Sequence, residues 1–188
     1  MSFQDSRRNS CLIILEMRNR RVIQASWVVD DIEQTAVEWV RATGIGPFFL
    51  FTHIPVEEFH YHGEPATIDF SVAIAQAGEI QIELVSQQSS GPSAYRDLIA
   101  KGRSGFHHVA LYSHDYDADL RSYVERGFAQ AVEGKFAGKR FCYVDTSAAI
   151  GCMVELIEDS RVQVEFFARI AAAARDWDGR DPIRRAFQ

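Results

Sequence analysis

The stretch QASWVVDD at residues 24–31 decides the fold, because a stretch of the same character, HVALYSHD, follows 84 residues later at residues 108–115. Each stretch has the pattern of a strand, a short loop containing Asp, and the start of an amphipathic helix. Gly44 and Gly127 follow the two helices as stop signals. Internal repetition of this kind predicts two similar structural units within one chain.

A second pair of matching stretches closes each unit. IQIELV at residues 80–85 ends the first unit and CMVELI at residues 152–157 ends the second, 72 residues later. The spacing is thus 72 rather than 84 residues, and the shortfall of 12 fits a longer strand–strand excursion in the first unit, around Phe51 to Pro65. An earlier strand and a turn containing Gly precede each closing strand. The sequence therefore predicts an α+β fold of two tandem βαβββ modules.

Composition and turn-forming or helix-capping residues indicate the module boundaries. The predicted divisions are an N-terminal extension (1–20), a first βαβββ module (21–86), a linker with a short helix (87–104), a second βαβββ module (105–158), and a C-terminal helix with a tail (159–188). Ser93 is a suitable cap for the linker helix, and Asp159 or Ser160 for the C-terminal helix. The apolar side of the C-terminal helix is expected to pack against its own domain, with a dimer contact as the alternative.

Charge and cysteine content narrow the function classes. The formal net charge of −6 argues against a nucleic-acid partner, because phosphate contacts need a basic surface. Three cysteines without a CxxC spacing favour a reducing compartment. No apolar run approaches the roughly eighteen residues of a membrane span, and residues 11–15 are too short for a signal-peptide core. We therefore expect a cytoplasmic protein with no membrane partner.

Strand alternation places one polar candidate on the inner face of each repeated strand. Because successive side chains of a strand point to opposite faces, apolar neighbours on one face leave a single polar residue facing the other way. These polar residues are Gln24, Glu83, His108 and Glu155, and they occupy matching positions of the two modules. Two carboxylates inside a sheet are costly unless a cation offsets their charge.

A divalent metal ion would satisfy these four residues together. Its two positive charges balance Glu83 and Glu155, while His108 supplies an imidazole nitrogen and Gln24 a carbonyl oxygen. Such a ligand set leaves open positions for water or substrate on an octahedral ion. Because the set mixes nitrogen and oxygen donors without thiolate, Zn²⁺, Ni²⁺, Co²⁺ and Mn²⁺ all remain possible.

The sequence resembles the vicinal oxygen chelate (glyoxalase/bleomycin resistance/dioxygenase) superfamily over about residues 20 to 160, nearest its methylmalonyl-CoA epimerase and lactoylglutathione lyase branches. The segments that carry the resemblance are Val22 to Asp31, Ile80 to Gln87, Gly105 to Ser113 and Met153 to Glu158. Members of these branches place a metal ligand on the first and last strand of each module, and those places correspond to the same four residues. The resemblance also implies that the two βαβββ modules form a curved mixed sheet around a metal-binding cleft. Many members have His at the first place, where this chain has Gln24.

The resemblance implies a metal-dependent isomerase or lyase acting on a small-molecule carbonyl substrate, either a thioester or a hemithioacetal. A metal with open positions would stabilise the enolate formed when the neighbouring proton is removed. Glu155 or Glu83 would then move the proton as general base and acid. The family's epimerases use a separate carboxylate base on a middle strand of module one, where Glu64 and Asp69 lie, with His60 and His62 nearby.

Three questions stay open at the level of sequence. A metal-free binding or resistance protein of the same fold is the main alternative function, and an extradiol-type dioxygenase is disfavoured because its iron(II) needs two histidines and one carboxylate. The aromatic residues of the excursion indicate an apolar substrate if they face the cleft and nothing if they face the core; they are Phe48, Phe49, Phe51, Phe59 and Tyr61. The superfamily resemblance also makes a homodimer an expectation.

Overall fold

The computed structural model describes residues 20–185, and its strands form one continuous mixed sheet. The strands are β1 (Val22–Val28), β2 (Phe48–Phe51), β3 (Glu57–Tyr61), β4 (Glu64–Pro65), β5 (Phe70–Ala77), β6 (Ile80–Gln87), β7 (Gly105–Ser113), β8 (Ala129–Phe136), β9 (Lys139–Asp145), β10 (Met153–Glu158) and β11 (Ile183–Arg185). The helices are α1 (Ile32–Thr43), α2 (Ala94–Leu98), α3 (Tyr116–Glu125), α4 (Ser147–Ile150) and α5 (Arg161–Arg175). The predicted N-terminal extension lies outside the described residues except for Arg20.

The two modules repeat one topology. Module one orders its strands β2-β5-β6-β1 and module two orders its strands β8-β9-β10-β7, so that in each the first strand pairs in parallel with the last. The first strands of the two modules, β1 and β7, pair antiparallel and join the halves into one sheet. The predicted α+β fold of two βαβββ modules is confirmed.

Each module begins its helix in the same way. The Asp31 side chain accepts a hydrogen bond from the backbone N–H of Gln34 at the start of α1, and Asp115 accepts one from Ala118 at the start of α3. An acidic N-cap satisfies a backbone donor that the first turn leaves unpaired, which stabilises a helix by about 1 kcal/mol. The repeated Asp of the sequence is therefore a repeated helix start.

The outer face of each half of the sheet is buried under its own helix. Ala36 of α1 packs in one core cluster with Val29 and Leu84, and Tyr123 of α3 packs in another with Leu111 and Leu156. A side chain as completely buried as Leu84 contributes roughly 1.5–3 kcal/mol relative to its exposed state. Because side chains alternate along a strand and the apolar ones of β1, β6, β7 and β10 lie on this outer face, the alternate residues point to the inner face.

The excursion of module one crosses to module two. After β2, the chain passes over the inner face, and β3 pairs antiparallel with β8, the outermost strand of module two. Val56 lies so close to Gly134 of β8 that a Cβ atom there would come within 2.8 Å of its methyl carbon. The excursion thus closes one side of the cleft instead of extending the sheet of its own module.

The C-terminal segment returns to module one. Helix α5 lies against β5, and its Phe166 ring meets Phe51 at a centroid distance of 5.3 Å, while Phe167 lies 6.3 Å from Tyr112 of β7. Strand β11, in the predicted tail, pairs in parallel with β2. Helix α5 therefore covers the inner face between both modules. None of the helices within residues 20–185 is long and apolar enough to cross a membrane.

Candidate metal centre and cavity

Strand register brings the four predicted ligands to the middle of the inner face. Ser26 of β1 lies opposite both Glu83 of β6 and His108 of β7. Two residues along, Gln24 lies opposite Ala110, which in turn lies opposite Glu155 of β10. Residues opposite each other on neighbouring strands share a face of the sheet. All four candidates therefore project from the four central strands toward the same space.

His108 is the centre of the group. Its Nε2 atom lies 3.2 Å from a carboxylate oxygen of Glu155 and 3.5 Å from one of Glu83. The ring is completely buried and the two carboxylates are nearly so. Gln24, also buried, donates a hydrogen bond from its amide nitrogen to the Gln81 side chain over 3.3 Å. This bond uses the nitrogen of the amide and leaves its carbonyl oxygen as the donor available to a cation.

A buried hydrogen-bond chain sets the tautomer of His108. His107 Nε2 lies 2.9 Å from the carbonyl oxygen of Ala94, which can only accept, so this nitrogen carries the proton. Burial, reinforced by the neighbouring His108, lowers the pKa of His107 to about 3, so the ring is neutral and its Nδ1 is an acceptor. His108 Nδ1, 2.9 Å away, must then be the donor. In its neutral form, His108 therefore presents an unprotonated Nε2 to Glu83 and Glu155.

The buried carboxylates of Glu83 and Glu155 favour a positive charge beside them. Burial alone would lower the pKa of His108, but the carboxylates of Glu155 and Glu83 outweigh it and raise the pKa to about 9. Burial raises the pKa of Glu155, an effect that His108 partly offsets and the charge of Glu83 reinforces. A protonated His108 between two ionised carboxylates still leaves one negative charge buried. A divalent cation beside a neutral His108 leaves none.

Two polar atoms at this place lack hydrogen-bond partners. They are Ser26 Oγ and His108 Nε2, both buried and opposite each other in the register. The carboxylate oxygens are close enough to His108 for an ion pair but do not lie in line for a hydrogen bond. Around a metal with bonds of about 2.0–2.2 Å, neighbouring donors are roughly 3.0–3.4 Å apart, similar to the spacings observed here. The residues thus suit a cation between them.

The metal site is nevertheless not preformed as a closed cage. Across residues 20–185, no three His, Cys, Asp or Glu side chains are drawn together tightly enough to form a complete metal-binding group. His108 approaches each carboxylate separately, and the fourth candidate, Gln24, is an amide. The structure therefore brings the predicted residues to one place without fixing a coordination geometry.

A cavity of about 410 Å³ opens directly above these residues, within the range of about 300–1,000 Å³ usual for small-molecule sites. Gln24, Glu83 and Glu155 form its floor. Phe51 also lines it, whereas Phe48, Phe49 and Phe59 are buried in the core and Tyr61 donates a hydrogen bond to Asp97. The aromatic residues of the excursion are thus divided between core, cavity and surface.

The sequence analysis missed a tyrosine pair beside the metal candidates. The hydroxyls of Tyr95 and Tyr143 lie 3.1 Å apart, and the Tyr143 ring lies 4.8 Å from the His108 ring. Burial, reinforced by the nearby carboxylates, raises the pKa of both phenols well above the ordinary value, so both are neutral donors. Alternation in β9 could have placed Tyr143 on the inner face, but Tyr95 reaches it from the linker helix α2.

The other polar candidates of module one lie away from the cavity. Glu64 is exposed on the β3–β4 hairpin, and Asp69 pairs with His53 at 2.9 Å. His60 is hydrogen-bonded to the Glu58 carbonyl, and His62 pairs with Asp97. None of the four lines the cavity; from β5 its lining residues are Phe70, Val72 and Ile74.

Comparison with known proteins agrees with this architecture. A hypothetical protein from Bacillus halodurans superposes with a TM-score of 0.56 and 18% identity, covering 77% of this chain and 97% of that one. Methylmalonyl-CoA epimerase from Mycobacterium tuberculosis gives 0.51 and 15%, covering 77% and 91%. A methylmalonyl-CoA epimerase in complex with methylmalonyl-CoA and NH4+ gives 0.50 and 17%, covering 76% and 96%. At these identities the likeness concerns the fold alone.

Sequence comparison adds the family. No curated protein matches the chain significantly. The sequence model of the glyoxalase/bleomycin resistance protein/dioxygenase superfamily matches residues 23–143, which contain nearly all of module one and most of module two. Together with the repeated βαβββ topology, this match shows that the chain belongs to the glyoxalase/bleomycin resistance protein/dioxygenase superfamily.

Proposed function

We propose that this protein is a metal-dependent isomerase or lyase that transfers a proton at the carbon next to a carbonyl group. The observation that carries the proposal is the convergence of His108 Nε2 with two buried carboxylates, Glu83 and Glu155, at the floor of a cavity, with His108 Nδ1 held by His107. Members of the superfamily commonly bind a divalent metal. The chemistry of each participant can be stated from the contacts above.

The proposed ligands are Gln24, Glu83, His108 and Glu155. A divalent ion held by them would polarise the substrate carbonyl and stabilise the enolate formed by proton removal. The donors are one nitrogen and several oxygens, so Zn²⁺, Ni²⁺, Co²⁺ and Mn²⁺ are the candidates to test. His107 acts on this site through His108, because it fixes which imidazole nitrogen faces the carboxylates.

Glu83 and Glu155 are the proposed proton carriers. Among the described residues they are the two carboxylates that line the cavity, so either can reach a substrate placed there. Burial raises the pKa of Glu155, which makes its carboxylate a stronger proton acceptor. Glu155→Gln and Glu83→Gln keep the shape of each side chain and remove the base. The proton carrier should be the residue whose substitution abolishes exchange while metal remains bound.

The tyrosine pair is proposed to orient the substrate. One hydroxyl of the pair donates to the other, and the second proton is available to an oxygen in the cavity. A hydrogen bond from a neutral phenol to the carbonyl oxygen would strengthen as negative charge develops on that oxygen. Tyr143, whose ring lies tilted by 42° against that of His108, is the better placed of the two to act beside the proposed metal ligands.

The lining of β5 favours a lyase over an epimerase of the family's type. Epimerisation requires proton delivery to the opposite face of the carbanion, which the family's epimerases achieve with a carboxylate on a middle strand of module one. The β5 residues lining this cavity are Phe70, Val72 and Ile74, which cannot carry a proton. A hemithioacetal or a related carbonyl substrate is therefore preferred to methylmalonyl-CoA.

A metal-free binding protein is the second candidate. It is favoured by the size of the apolar cavity and by the absence of a closed metal cage among residues 20–185. In that case protonated His108 would balance the charge of one carboxylate, the other carboxyl group would be protonated, and neither Glu83 nor Glu155 would have a role in turnover.

The deciding experiment measures bound metal and α-proton exchange together. Purified protein, metal-stripped and reloaded with each of the four ions, is assayed by elemental analysis and by NMR of carbonyl substrates in D₂O. Wild type should bind about one ion per chain and exchange the proton, whereas His108→Ala should do neither. His114→Ala is the matched control, because this histidine is 85% exposed and pairs only with Asp159 at the surface. Failure of wild type to bind any of the ions would contradict the proposal and favour the binding protein.

A further inference from the structure

The walls of the cavity differ in character from its floor. Strand β5 presents three large apolar side chains to the cavity, those of the alternating residues Phe70, Val72 and Ile74. The inner face of the central strands, in contrast, presents polar residues to the same cavity. Their neighbours Ala73 and Ala75 point the other way, into the core beneath α1. Module one therefore contributes both an apolar wall of the cavity and, through Glu83, part of its polar floor.

The roof of the cavity is also apolar. Phe166 of α5 packs edge-on against Phe51, and both side chains line the cavity together with Ile54 and Val56 of the excursion. These residues come from two segments that sequence alone does not bring together. The floor alone would serve a small polar carbonyl compound, so an enclosed apolar roof above it indicates additional ligand volume to be buried.

The mouth of the cavity exposes apolar surface to water. Val162 of α5 is 73% exposed and Phe136 at the end of β8 is 44% exposed, and both line the cavity. Arg140 lies beside them, but its guanidinium is bonded to Asp117 and Glu158, so its charge is already balanced. The mouth thus offers apolar contact to an entering ligand beside the exposed Lys139, which also lines the cavity, and Arg140 adds no uncompensated positive charge.

We infer that the substrate of this site carries a bulky apolar group, alkyl or aryl, which occupies the space between β5, the excursion and α5 while its carbonyl oxygen reaches the floor. The position of the substrate's carbonyl group in this inference rests on the proposed function, and the apolar character of the rest of the substrate rests on the cavity lining. A small polar acyl group such as methylmalonyl would leave most of the lining against water, at a cost of about 25 cal/mol for each Å² of apolar surface.

The test uses alkyl hydroxamates of increasing length, from acetohydroxamate to octanohydroxamate, on the metal-loaded protein. The hydroxamate group chelates the metal and the chain enters the cavity. Affinity measured by calorimetry should rise about two- to fourfold for each added methylene until the cavity is filled. Val162→Asp should weaken octanohydroxamate about fivefold or more and leave acetohydroxamate unchanged.

Val164→Asp is the matched control for that variant. Val164 lies on the same helix, is 45% exposed and does not line the cavity, so its substitution should change neither affinity. Phe136→Ser is a second variant at the mouth, on a different element, and should reproduce the selective loss of the long chain.

Failure of the inference and failure of the metal proposal give different results. If acetohydroxamate binds and longer chains bind no better, the apolar-substrate inference is wrong and the metal site stands. If hydroxamates do not bind, 1-anilinonaphthalene-8-sulfonate is titrated into metal-free protein and displaced with alcohols from butanol to octanol. Displacement that strengthens with chain length and weakens in Val162→Asp supports the apolar pocket without the metal. Absence of length dependence there overturns the inference.

Discussion

The two modules have the same strand order and contribute different chemistry to the same face. At matching places of β1 and β7, module one has Gln24 and Ser26, and module two has His108 and Ala110. The residue before each first ligand also differs, being Ile23 in module one and His107 in module two. The first strand of module two thus supplies a candidate nitrogen ligand with its own tautomer-fixing partner, and the first strand of module one supplies neutral oxygens.

The modules also differ in what they add around the site. Module one sends its excursion across the cleft to pair with β8 and receives α5 on β5, whereas module two contributes the strand that accepts the excursion. The two βαβββ units therefore share a backbone frame and differ in the side chains and connections that they add to it. We interpret module two as the source of the strongest proposed metal ligand and module one as the source of the segments that enclose the cavity.

The largest expected effect comes from making the first ligand of module two like that of module one. His108→Gln should lower metal affinity by more than about 100-fold, because it removes the nitrogen donor itself and not a supporting contact. Competition with a chromogenic chelator measures the change. Gln24→His, the reverse exchange in module one, should retain metal. Full metal affinity in His108→Gln would show that the asymmetry between the modules is irrelevant to binding.

The second prediction uses pH, because His108 titrates and its counterpart Gln24 does not. The pKa of His108 in the metal-free protein is raised to about 9, above the ordinary value of about 6.5. Stability from this group is therefore fully present below about pH 6.5 and is lost as the pH rises through about 9. Urea unfolding of metal-free wild type should show a loss on the order of 3 kcal/mol over this range. A His108→Gln variant should show a much flatter profile, and equal slopes would count against the ion pairs.

The third prediction removes the tautomer-fixing residue of module two. His107→Phe should lower metal affinity by roughly 10–100-fold, the range seen when a partner of a ligating histidine is lost. His107→Gln should recover part of the loss, because a glutamine amide can donate to the Ala94 carbonyl and accept from His108 Nδ1. Nitrogen NMR of His108 should detect mixed tautomers in the Phe variant. A single unchanged tautomer in that variant would remove His107 from the mechanism.

The smallest expected effect concerns Ser26 and its counterpart Ala110. A buried hydroxyl without a partner costs about 1–3 kcal/mol, so Ser26→Ala should raise the free energy of unfolding of metal-free protein by about 1 kcal/mol. The gain should shrink or reverse with metal bound, if the hydroxyl then finds a partner there. Ala110→Ser, at an equally buried place, should lower stability in both states. Thermal unfolding with and without metal provides the comparison.

The amino-acid sequence alone predicted the repeated modules and the inner-face positions of the four candidate ligands. It did so because strand alternation and helix capping are local: Asp31 and Asp115 start their helices through neighbouring backbone groups, and Glu83 opposes apolar neighbours on its own strand. Repetition then gave the βαβββ order, since each unit shows the same succession of local patterns. The ligand role of these residues stays a prediction.

The surroundings of those residues depend on tertiary packing. The tautomer of His108 depends on the carbonyl of Ala94, which reaches His107 through the packing of a separate linker helix. The roof depends on β3 pairing with β8 and on α5 lying over β5, contacts between segments far apart in the chain. Such contacts are fixed by which surfaces remain to be buried once the local elements have formed, so no local pattern encodes them. The floor of the site could be found in the sequence, and its walls could not.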